Sequence, residues 1–111
     1  IAAVLALAEI GAIDRSMLGA LRLATHYPDD TVRRRAVAGI LESTLAGNIP
    51  PATAVDLLEQ MSIPGEAALA KARIDALVQI QENLTIDGRL SSRIANILSG
   101  YWRAQDAQRA R

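Results

Sequence analysis

The chain has 111 residues, with twelve basic and twelve acidic side chains, one histidine and no cysteine. That balance argues against a nucleic-acid binder, which carries a basic excess, and the missing cysteine excludes disulfides, thiolate metal sites and a cysteine nucleophile. Half of the residues are hydrophobic but only 3% are aromatic, with no Phe, so the apolar content is mainly Ala, Leu and Ile, which suits closely packed helices.

The punctuation of the chain predicts about six helices and no strand, an all-α protein. A first helix is expected over Ile1–Ile10, ending at Gly11, which suits a left-handed cap. Asp14 is placed to cap a second helix running to His26 and ended by Pro28, with Met17, Leu18, Leu21 and Ala24 inward. A third runs from about Asp30 to Ala46 and stops near Gly47-Asn48. Pro50-Pro51 opens the fourth, since proline is tolerated in a first helical turn; its inward residues are Ala54, Leu57, Leu58 and Met61. Pro64-Gly65 then breaks the chain before a long fifth helix reaching about Asn83. Asp87 is placed to cap a sixth, with Leu90, Ile94, Ile97, Leu98 and Tyr101 on one face. Residues 1–102 read as one domain. Residues 103–111 read as a polar tail that frays.

The helical pattern is already under way at Ile1, with no capping residue ahead of it. This predicts an excerpt of a longer protein whose first helix lacks part of its packing. That helix is apolar on most sides, and such a surface drives association when left exposed. Self-association through the first helix is therefore expected.

The third helix carries the strongest pattern. At about 100° per residue, Val37, Ile40, Leu41 and Thr44 share one side, and Arg33 falls among them while Arg35 points to water. A charge on a core-facing stripe needs a partner, and Asp29 and Asp30 in the preceding turn are the nearest carboxylates by sequence. Two alignments suggest repetition: Ala2–Glu9 matches Arg35–Glu42, and Leu69–Val78 matches Val32–Leu41. With Asp30 ahead of Val32-Arg33, this segment resembles the HEAT repeat family, in which a turn aspartate and an arginine at the start of the second helix form a ladder between units. The resemblance implies a right-handed stack of antiparallel helical hairpins, an α-solenoid fragment with Asp29, Asp30 and Arg33 as ladder residues. Its specific match covers residues 28–42. Two features depart from the family: the period of roughly 33–37 residues is shorter than the ~40–47 of HEAT and armadillo units, and Ala70 and Glu66 stand where the next arginine and turn aspartate would be.

Chemistry-bearing motifs are few. No Gly-x-Ser-x-Gly elbow, phosphate loop or dinucleotide fingerprint occurs. His26 stands alone near a helix C-terminus, where a cation is mildly favoured. Asp29 and Asp30 are adjacent on a turn, so their side chains diverge. Asn83-Leu84-Thr85 matches a glycosylation acceptor, a pattern that matters only in a secreted protein. No run approaches the ~18 apolar residues of a membrane span, and a cytoplasmic setting is expected.

These observations point to a non-enzymatic protein-interaction or scaffolding module without catalytic residues, metal or cofactor. Its partner is another protein, of unknown identity. The expected contact residues are Arg34, on an inner-facing helix, and Trp102, on the edge of the last helical stripe, since tryptophan is enriched at binding hot spots. One alternative is a helical regulatory or accessory domain of a larger enzyme. Another is a nucleic-acid-binding helical repeat, which the balanced charge opposes.

Overall fold

The computed structural model describes residues 5–7, 17–61 and 67–109. Within them all regular structure is helical: a short helical segment at 5–7, then α1 (Leu18–Thr25), α2 (Asp30–Leu45), α3 (Pro51–Gln60), α4 (Ala67–Asn83) and α5 (Gly88–Arg109). Most of the expected first helix, the Gly11 and Asp14 caps, the Pro64-Gly65 break, Glu66 and the last two residues lie outside the described residues.

Local chemistry sets each boundary. Asp29 precedes α2 in extended backbone, and its carboxylate accepts a hydrogen bond from the Thr31 N–H at 2.8 Å. This satisfies one of the amide donors that every helix start leaves unpaired. At the other end Gly47 takes φ +84°, while the Asn48 and Gly47 amides donate to the Ser43 and Thr44 carbonyls at 2.9 and 3.1 Å. That is a Schellman closure, and its left-handed position favours glycine. Pro51 occupies the first turn of α3. Asp87 caps α5 by accepting from the Leu90 N–H at 2.8 Å. The helix continues to Arg109, past the expected frayed tail at 103, although Arg103, Ala104, Asp106 and Ala107 are exposed along it.

Helix α2 is the hub. It packs on α1, α3 and α4, and its contact with α4 is the most extensive between any two helices. The remaining principal contacts join α4 to α5, α3 to α4, and the alternate pairs α1 to α3 and α3 to α5. A single apolar cluster runs through all five helices. It includes the expected inward residues Leu21, Ala24, Val37, Ile40, Ala54, Leu57, Leu58, Met61, Leu90 and Ile94, with Leu5 from the helical segment at 5–7. Met17, Leu18, Leu41, Ile97, Leu98 and Tyr101 pack on it partly buried. The chain measures 44 × 33 × 17 Å with a radius of gyration of 13.7 Å, close to the ~13 Å of a compact domain of this length.

Candidate docking groove

The side-by-side packing of α2 and α4 leaves an open trough of about 510 Å³ between them. Arg34, Val37, Ala38, Leu41, Glu42 and Leu45 line it from α2; Ala72, Asp75, Ala76 and Gln79 line it from α4. The α2 residues recur at steps of three and four, so they form one stripe down the helix. Val37 and Ala76 are buried and close the floor, whereas Ala38 and Leu45 are exposed and Leu41 and Ala72 half-buried. The trough is wide because its banks carry alanines. Larger side chains at 38, 72 and 76 would fill it.

Its rim is polar. Arg34 reaches back to Asp30, Nη2 to Oδ1 3.2 Å, an exposed pair one helical turn apart. Glu42 and Asp75 are exposed on opposite banks. Of the two expected contact residues, Arg34 therefore lines the trough. Trp102 lies on α5 at 52% exposure, with the Tyr101 ring edge-on at 5.0 Å.

Arg33 turns inward, with only 4% of its surface exposed. Its Nη1 donates to the Tyr27 backbone carbonyl at 3.0 Å. It thereby ties the start of α2 to the carbonyl-rich end of α1, where a cation is favoured. The described side-chain contacts of Asp29 and Asp30 are local to α2: Asp29 with the Thr31 amide, Asp30 with Arg34.

A second charged cluster, missed in the sequence, joins α3 to α5. Arg93 Nη2 donates to Asp56 Oδ1 at 2.6 Å and to Glu59 Oε1 at 3.3 Å. The hydrogen bond to Asp56 has the largest effect and raises the Arg93 pKa; burial opposes it, and the hydrogen bond to Glu59 adds a smaller upward push. On the neighbouring helix α4, burial lowers the Arg73 pKa, while the charge of Glu59 pulls it upward. Glu59 thus couples electrostatically to guanidinium groups from two helices. The only sequence signal was Asp56 and Glu59 three apart, which share a helix face.

Among the described residues no cluster of three or more acids and histidines could hold a metal ion, and no helix is long and apolar enough to cross a membrane. No protein-family model, curated protein or solved structure matches the chain.

Proposed function

We propose that the chain is a non-enzymatic protein-interaction module that receives its partner in the α2–α4 trough. The observation that carries this reading is the trough itself: an open, apolar-floored furrow with a polar rim and no convergent set of catalytic groups. Interfaces of this composition combine an apolar centre with a polar edge. Arg34 on the rim and Trp102 on α5 are the proposed contact residues, and a cytoplasmic setting is proposed with them.

The proposed architecture is a right-handed stack of antiparallel helical hairpins resembling HEAT repeats. The contact pattern supports it, because each helix packs chiefly on its immediate and next-but-one neighbours, as stacked hairpins do. In that arrangement α2 and α4 are second helices of successive hairpins, and their common face lines the inner surface. Association of two copies through the first helix is a separate proposal. Leu5 is already buried in the core, so Leu7, half-buried beside it, is the residue at which to test it.

The test is affinity capture with the intact chain and with Ala38→Arg at an exposed position and Ala72→Arg at a half-buried one, both of which load the trough with bulk. Each variant is first checked for an unchanged circular dichroism spectrum, because Ala72 also packs on the core. A variant at exposed Ala95 on α5, Ala95→Arg, serves as control. The expected outcome is a partner retained by the control and lost by both trough variants. Retention by all three, or capture of nucleic acid instead, overturns the reading.

A further inference from the structure

The geometry points to an amphipathic helix with lysine or arginine beside a narrow apolar stripe as the occupant of the α2–α4 trough. This inference rests on the trough being a docking surface and adds the chemistry of what docks there.

Main-chain accounting selects a helix. Every peptide unit of a bound segment must satisfy its N–H and C=O groups. The trough walls are helices whose own backbone groups are bonded internally, and there is no sheet edge among the described residues to pair with an extended peptide. A helix arrives with its backbone already satisfied, so an apolar floor suits it. The spacing agrees: Arg34, Ala38, Leu41 and Leu45 form a stripe about three turns long. That is the length a docked helix uses when it presents anchors at i, i+3/i+4 and i+7. Alanines on both banks admit close approach, which requires the incoming stripe to be narrow.

Charge selects the flanks. Glu42 and Asp75 project from opposite banks, and neither is in an ion pair among the described residues. The one rim cation, Arg34, is engaged by Asp30. The rim therefore presents net negative charge from two sides, complementary to basic residues flanking an apolar stripe. Such complementarity governs association rate and partner choice. The same charge repels nucleic-acid phosphates.

The test uses two helix-forming peptides of about 18 residues, long enough to be partly helical alone. They share one Ala/Leu stripe and differ only in carrying lysine or glutamate at the flanking positions. Each is titrated into the isotope-labelled chain while amide resonances are followed. The lysine peptide is expected to shift Ala38, Leu41, Ala72 and Ala76, with affinity roughly tenfold above the glutamate peptide at low salt, a gap that narrows as salt screens the rim. The double variant Glu42→Lys, Asp75→Lys is expected to reverse the preference. Equal binding of both peptides in the trough overturns the charge assignment and leaves the docking surface standing. No shift in the trough with either peptide overturns both. Shifts at the same amides on concentrating the chain alone identify a second copy as occupant and overturn the assignment of a basic helix.

Discussion

Arg33 and Arg35 sit two residues apart on α2 and differ in burial. Arg33 is buried and bonds the Tyr27 carbonyl, while Arg35 is only partly covered. Truncating Arg33 removes packing volume and the hydrogen bond to the Tyr27 carbonyl. Arg33→Ala is expected to cost about 2 kcal/mol in urea unfolding, in line with the loss of a buried side chain and its partly buried charge-assisted hydrogen bond. Arg35→Ala is expected to cost under about 1 kcal/mol. Equal small losses would mean that Arg33 is energetically solvated and would remove the best residue from the HEAT resemblance. Gly47 gives a second residue-scale test. A Cβ there meets nothing within 4 Å, so the penalty for Gly47→Ala is purely backbone and should be about 1 kcal/mol, from φ +84° alone.

At the scale of elements, two devices hold helices in register. The Asp87 cap is local, and Asp87→Ala is expected to lower stability by about 1 kcal/mol, read by thermal melting. The Arg93 clasp is tertiary: it spans 37 residues in sequence to reach Asp56. Its groups are 38–47% exposed, so solvent weakens it. A double-mutant cycle on Arg93→Ala and Asp56→Ala is expected to give a coupling of roughly 0.5–1 kcal/mol that shrinks at high salt. A coupling that salt leaves unchanged would contradict a partly solvated clasp.

At the scale of the whole molecule, the α2–α4 trough and an exposed indole on α5 are the surface features to test. Trp102 is the only tryptophan, and at 52% exposure it reports on the α5 surface. Its fluorescence is expected to be red-shifted and readily quenched by acrylamide in the free chain. If α5 contributes to docking, a bound partner protects it; unchanged quenching with the trough occupied would remove Trp102 from the interface. Far-ultraviolet circular dichroism is expected to give a largely helical spectrum, consistent with the helical elements described here.

What the amino-acid sequence determined by itself was local. Pro28, Gly47, Pro50-Pro51 and Asp87 mark helix ends through proline geometry, a left-handed turn and a carboxylate cap, each an interaction within a few residues. The 3.6-residue period selected Leu21, Ala24, Ile40, Leu57 and Leu58 as inward, because a helix shows one face to its neighbours whatever those neighbours are. The same period turned Arg33 inward, but its described acceptor is the Tyr27 carbonyl, and carbonyls occur at every residue and leave no mark in composition. Arg34 was selected as a contact position, yet the groove it lines exists only because α2 and α4 lie side by side. Asp56, Glu59 and Arg93 meet only after α3 and α5 pack. Tertiary structure decided these features because they depend on the spacing between helices, a quantity that side-chain periodicity within one helix does not carry.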